Sequence, residues 1–376
     1  MVACSSSGGA ADAPDVADAA NEASVDGAAD ALVVSRGQRL LGVAVDLDDL
    51  QLPQRLDVAR DAGAQATEVT FGWDEIERPY DAGDPDSGDP DAGDPDAAPP
   101  PTTVLFNPGL HVVNLVLADR RVEAVLSLEA VGLEGSRAPS ELANAALDDP
   151  SFEARYDKLL DYVFSQIGDT KVSALLVASS VDAWLAADSR RAASLAAFVT
   201  HAGAHARMLR PGLKVGFAVD AQTSAARSAD LAPAWSSSDF VAFDYVAGAG
   251  GGAAGGASAE TDVAQMVAAA GPTRPVLVRQ AAFPSSAAAG GSPDLQAAFV
   301  REVFQAWDRR PAQMFGLVFR ALDDASPAQA AATAARAKRS DPGFLALLGS
   351  LGMHDVEFRE KPAFTALRRE ARARGW

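Results

Sequence analysis

Residues 173–184 read SALLVASSVDAW. Ala174 to Ala178 are apolar at every position, whereas a strand with one wet face alternates apolar and polar side chains. The run therefore reads as a strand covered on both faces. It ends on two hydroxyls, Ser179 and Ser180, and passes into Val-Asp-Ala-Trp, the opening of a helix. Seven other runs share this texture: LLGVAVDL (40–47), AQATEVTF (64–71), RVEAVLSL (121–128), LKVGFAVD (213–220), DFVAFDYV (239–246), RPVLVRQA (274–281) and MFGLVFRA (314–321). Longer segments with a helical period separate them. In FEARYDKLLDYVFSQI, Tyr156, Leu159, Leu160, Val163 and Ile167 fall on one face. In SPDLQAAFVREVFQAW, Ser292 caps, Pro293 opens the helix, and Leu295, Phe299, Val303 and Trp307 are expected on its inner side. Eight strands alternating with helices predict a parallel sheet, and eight is the number that closes into a barrel. An open doubly wound sheet is the alternative, but no glycine-rich phosphate loop follows the first strand. The expected fold is α/β: a (β/α)8 TIM barrel over residues 37–376, behind a disordered N-terminal tail, 1–36.

That tail is rich in Ala, Asp and Ser and poor in large apolar groups, so it buries too little surface to offset its ordering entropy. The chain of 376 residues is 48% hydrophobic, enough for a sizeable core. Its formal charge is −19, from 51 acidic and 32 basic residues. Nucleic acid and anionic lipid surfaces both want a basic face, which this balance argues against. No apolar run approaches the length of a membrane-spanning helix.

The single cysteine, Cys4, allows no internal disulfide. MVACSSSGGAADAPD resembles the end of a bacterial lipoprotein signal, in which the cysteine carries lipid, although the usual basic and apolar regions upstream are missing. It predicts a chain outside the cytoplasm, lipid-anchored to the bacterial cell envelope, touching membrane only through that anchor. Two insertions interrupt the barrel pattern. GDPDSGDPDAGDPD (83–96), within an acidic stretch at 81–100, repels itself and is broken by prolines. It lacks the closing bidentate glutamate of a calcium loop and reads as a solvated low-complexity loop. AGAGGGAAGGAS (247–258) is too glycine-rich to hold one shape.

In such barrels the reactive groups stand at the C-terminal ends of the strands. There the sequence offers Asp46 and Asp48, Glu68 followed by Trp73, Glu129, then Ser179, Ser180 and Asp182, Asp220, Asp244 with Tyr245, Gln280 with Phe283, and Arg320, Asp323 and Asp324. Carboxylates accept from sugar hydroxyls and flat rings stack on sugar faces. Asp46, Glu68, Trp73, Ser179, Tyr245 and Phe283 are the candidate saccharide contacts, and Trp235 is a further possible platform. Core packing is the commoner role for each ring.

FGWDEIE (71–77), VASSVDAWL (177–185), VRQAAFPSS (278–286), the helix SPDLQAAFVREVFQAW and EKPAF (360–364) stand in order along the chain. Together they resemble the retaining (β/α)8 glycoside hydrolases of the cellulase and β-1,4-galactanase type, over about residues 39–374. The resemblance implies a general acid/base glutamate after the fourth strand and a nucleophilic glutamate at the seventh. Here those positions hold Ser180 and Gln280. Retaining hydrolysis needs two carboxyl groups about 5 Å apart. An alcohol of ordinary acidity and an uncharged amide supply neither role.

The sequence therefore predicts a glycosidase-like barrel whose chemistry has been removed and whose former groove holds a polysaccharide or oligosaccharide. An active enzyme with relocated carboxylates is the alternative, using Glu68 with Asp182 or Asp244. A third reading is a structural lipoprotein presenting a protein-binding surface. A serine nucleophile needs a base, and His111, His201, His205 and His354 all fall on helices or late loops. His201 and His205 have the i, i+4 spacing of a shared metal but no third ligand nearby in sequence, so no metal and no other cofactor is expected.

Overall fold

In the computed structural model, the described residues are 33–47, 50–79, 103–188, 190–224, 227–248 and 259–376. Cys4, Asp48, the Asp/Pro repeat and the glycine-rich loop beyond Gly248 lie outside them. Eight strands form the sheet: β1 (Leu40–Val43), β2 (Ala66–Gly72), β3 (Glu123–Glu129), β4 (Val172–Leu176), β5 (Val215–Asp220), β6 (Phe240–Val246), β7 (Val276–Ala282) and β8 (Met314–Phe319). Neighbours pair in parallel around a closed barrel, and β1 seals it against β8 (Leu40↔Gly316) and β2 (Gly42↔Ala66). The eight apolar runs of the sequence are these eight strands.

The crossover helices are α1 (Leu52–Asp61), α2 (Pro108–Arg120), α3 (Pro150–Gln166), α4 (Arg191–Leu209), α5 (Ser228–Ser237), α6 (Ala259–Ala270), α7 (Pro293–Asp308) and α8 (Pro362–Ala373). The predicted face of α3 is buried throughout. Ser292 caps α7, accepting from the Leu295 N–H at 3.2 Å. Leu295 itself is exposed, contrary to expectation: in the first turn of α7 it faces water, while Phe299, Val303 and Trp307 face the sheet.

Two layers of core result. Helix faces pack on the outside of the barrel. Inside, Leu40, Ala66, Val125, Leu176, Ala218, Phe240, Leu277 and Val318 fill its lower part. The large interior side chains need small neighbours: a Cβ on Gly216 would stand 2.5 Å from the Phe240 carbonyl oxygen, and one on Gly316 would stand 2.6 Å from Leu277 Cδ1.

Long-range polar ties close the barrel. At the bottom, the Arg36 N–H donates to the Arg374 carbonyl at 2.8 Å, so residues 33–36 belong to the barrel rather than to the tail predicted over 1–36. At the top, Lys361 of the EKPAF segment donates to Ser285 Oγ, Asp324 Oδ1 and the Gly352 carbonyl at 2.7 to 3.0 Å. That residue clips the loop after β7 to the loop after β8. No helix among the described residues is long and apolar enough to cross a membrane.

Candidate functional site at the barrel mouth

Side chains alternate along a strand, so the interior apolar layer fixes what stands above it. Two residues beyond Ala66 is Glu68; beyond Val125 come Ser127 and Glu129; beyond Ala242 is Asp244; beyond Leu277 is Arg279; beyond Val318 is Arg320. These inward positions form one polar cluster over the apolar plug.

Arg279 is its centre and is 2% exposed. Its Nη2 lies 3.2 Å from Glu68 Oε1 and its Nε lies 2.5 Å from Asp244 Oδ1. The second contact is an ion contact off the N–H axis, so Asp244 Oδ1 and Arg279 Nε carry no hydrogen bond. Glu68 Oε1 also accepts from Thr70 Oγ1 at 3.1 Å and from Gln280 Nε2 at 3.3 Å, while Glu68 Oε2 is buried without a partner. Gln280 Oε1 accepts from Arg320 Nη1 at 2.5 Å. Ser180 Oγ donates to Asp244 Oδ2 at 3.4 Å, and Ser179 Oγ donates to Glu129 Oε1. Ser180 and Gln280, the two positions singled out in the sequence, thus join the same cluster through Asp244, Arg279 and Glu68.

Both also have left-handed backbone, φ 46° at Ser180 and φ 51° at Gln280. For residues with a Cβ this costs about 1–2 kcal/mol each and persists only where the surroundings impose it. At Gln280 the reason is visible. Alternation from Arg279 would turn it outward, but the pairing of β7 with β8 slips between Val278 and Ala281. The local break lets consecutive side chains, Arg279 and Gln280, both reach the mouth.

Burial sets the protonation states. It pushes the Asp244 carboxyl up to about 7, against the lowering pull of Arg279 and with help from Glu68 and Glu129. It also raises Glu129, opposed by the Ser179 hydroxyl and by Arg279. Arg320 is lowered by burial, against the pull of Glu68 and Asp244. For Arg279 burial likewise disfavours the charge, but Asp244 and Glu68 outweigh it and hold the guanidinium cationic.

Several expected site residues stand elsewhere. Trp73 is fully buried, edge-on to Phe152 and Tyr156, with its indole N–H on Glu77 at 2.7 Å. Tyr245, one step from inward Asp244, points to the helix layer, where its hydroxyl donates to Asp262 at 2.7 Å. Trp235 is buried too. None of these three rings is a sugar platform. Phe283 is half-buried against Phe299, with ring centroids 5.8 Å apart. Asp182 does not join the cluster: its carboxylate accepts from the Asp220 N–H at 2.7 Å and from Thr223 Oγ1 at 2.8 Å, tying the end of β4 to the end of β5. Asp46 is exposed and takes Gln329 Nε2 at 2.6 Å. His201 and His205 meet carboxylates of α3, at 3.0 Å to Asp157 and 2.8 Å to Asp161. Among the described residues no group of His, Cys, Asp and Glu side chains is arranged to hold a metal ion. His354 lies beside the end of β8, with Nδ1 2.9 Å from Asp323 Oδ1.

No protein-family model matches the chain, and no curated protein matches it. Solved structures do. GH5_18 from Streptomyces cattleya, in complex with GlcNAc, superposes with a TM-score of 0.63 at 15% identity, covering 90% of this chain and 80% of that one. An exo-beta-1,4-mannosidase from Opitutaceae bacterium strain TAV5 gives 0.64 at 15% identity, covering 92% and 62%. An intracellular xylanase from Thermoanaerobacterium saccharolyticum, in complex with xylotriose, gives 0.53 at 11% identity, covering 88% and 96%. At these identities the likeness is one of fold: a (β/α)8 barrel of the kind that glycoside hydrolases use.

Proposed function

We propose that this chain is a glycoside hydrolase-like barrel that holds a saccharide at its mouth without cleaving it. One observation carries the reading. Ser180 and Gln280 stand at the ends of β4 and β7 without an ionisable carboxyl, and the carboxylates hydrogen-bonded to them, Asp244 and Glu68, are both bound to buried Arg279. Retaining hydrolysis needs a nucleophilic carboxylate and a second carboxyl about 5 Å away, and a carboxylate neutralised by a buried guanidinium is a weakened nucleophile. Glu68 Oε1 accepts from Thr70 and Gln280 and lies 3.2 Å from the Arg279 guanidinium, contacts that stabilise its charge in place. The same polar lining suits hydroxyl-rich ligands, and the structural neighbours include proteins solved with GlcNAc and with xylotriose.

One observation favours an active enzyme instead. Asp244, pushed up to about 7 by burial, lies where a general acid/base works best. Titration calorimetry with soluble mannans, xylans and β-glucans, run beside a reducing-sugar assay, separates the two. The expected result is binding with no sugar release. Release that disappears in Glu68→Gln or Asp244→Asn would replace the proposal with the active reading; binding to no polysaccharide would remove it.

We propose further that lipid on Cys4 displays the barrel from a bacterial envelope, on the strength of the segment MVACSSSGG. Expressed as the full chain in a bacterial host, the protein should follow the membrane fraction, and Cys4→Ala should release it. Identical fractionation of the two forms would refute the anchor.

A further inference from the structure

Gln280 decides the charge at the barrel mouth. Its amide oxygen accepts from Arg320 Nη1 at 2.5 Å, and its amide nitrogen donates to Glu68 Oε1 at 3.3 Å. A glutamate in its place would ion-pair with Arg320 and repel Glu68. The amide does neither, so Arg320 faces a neutral oxygen. The other arginines near the strand ends are in ion pairs: Arg279 with Glu68 and Asp244, Arg137 with Asp74 and Glu75, Arg227 with Asp230. Among the described residues no ion pair holds Arg320, and its Nε–Nη2 edge carries no hydrogen bond. Two parallel N–H groups on that edge are the fork that matches a carboxylate.

We propose that the barrel mouth takes a saccharide carrying a carboxylate, of the uronic acid class, with Arg320 receiving the carboxylate. This rests on the saccharide-holding reading above and names its ligand. The bound carboxylate supplies the countercharge that position 280 lacks. Burial holds Arg320 below its ordinary pKa although Glu68 and Asp244 pull it up, so a guanidinium with no contact ion pair gains from a carboxylate placed directly against it. The remainder of the acidic chain, −19 overall, opposes the approach of anions, so affinity for the charged ligand depends on this contact at close range.

The test is calorimetric titration of the full chain with trimers of galacturonate, glucuronate and mannuronate, each beside its methyl ester, and with mannotriose and cellotriose. At least one acidic trimer should bind about tenfold or more tighter than its ester. Arg320→Gln should abolish that preference and Arg320→Lys should keep part of it, with thermal melts establishing that both variants fold. The ester comparison needs no variant. Equal binding of acid and ester, or a preference that survives Arg320→Gln, would overturn the assignment while leaving a saccharide-holding barrel. Displacement of the acidic trimer by acetate at equal concentration would also overturn it, assigning a bare anion site. Binding of none of these probes would remove both readings.

Discussion

Asp308→Ala is expected to destabilise the barrel by about 3–5 kcal/mol, the cost of breaking a buried ion pair by removing one partner. Asp308 ends α7 with no exposed surface and is shared by two buried guanidiniums. Oδ1 lies 2.8 Å from Arg39 Nη1, and Oδ2 lies 2.6 Å from Arg374 Nη2. Arg39 leads into β1 and Arg374 follows α8, so one carboxylate fastens both ends of the barrel unit to its seventh helix. The cations also cover aromatic faces: Arg39 stands 4.7 Å from the Trp307 ring centre and Arg374 stands 4.9 Å from that of Phe304. Among the described residues, alanine would leave Arg39 with backbone carbonyls as its only polar partners, and Arg374 with Glu370, 2.9 Å away, as its one remaining carboxylate. Urea unfolding followed by tryptophan fluorescence reads the loss. Replacing all three charges together, with Arg39→Met, Asp308→Leu and Arg374→Met, should recover most of it, because the penalty lies in unpaired charge rather than in missing attraction. A single-variant loss below about 1 kcal/mol would place this triad among contacts of surface value.

The same contrast explains how far the sequence could be read. Strands covered on both faces leave near-continuous apolar runs, so all eight staves and the alternation with helices were legible. So was the place where chemistry stands, since a barrel presents its strand ends on one rim. What failed was the direction of individual side chains. Trp73 and Tyr245 lie at strand ends, and composition alone cannot say which way they face. Counting by two from inward Asp244 turns Tyr245 toward α6, where Asp262 receives its hydroxyl. Counting by two from Leu277, which lies in the interior apolar layer, points Arg279 inward, yet within the run RPVLVRQA it reads as an interruption of a strand. Gln280 joined the cluster for a reason no periodicity carries: a slip in pairing and a left-handed φ of 51°. Asp182 was legible as an acid at the rim, but its partners, the Asp220 N–H and Thr223, come from another strand end. The unpaired edge of Arg320 likewise emerges only when β7 and β8 are side by side.

Arg279→Met should cost about 3–5 kcal/mol near pH 8 and markedly less near pH 5. The guanidinium neutralises Glu68 and Asp244 at 3.2 and 2.5 Å in a site closed to solvent. A methionine leaves those carboxylates facing each other in low dielectric. Burial already raises Asp244 to about 7, against an ordinary value of about 3.9 in the unfolded chain. A carboxyl raised on folding contributes stability that is fully present below its unfolded pKa and is lost as pH rises through its folded one. For the wild type that window runs from about pH 4 to about pH 7. Without Arg279, whose charge pulls Asp244 down, the window extends to higher pH, and the variant keeps losing stability where the wild type has levelled. The gap between them should therefore widen from pH 5 to pH 8 in urea midpoints, and adding Asp244→Asn to the variant should flatten most of the widening. A gap that stays constant across this range would mean that the cluster carries no proton near neutrality. Asp244 would then be a permanent anion paired to Arg279, and its claim to act as an acid in any active version of this site would go with it.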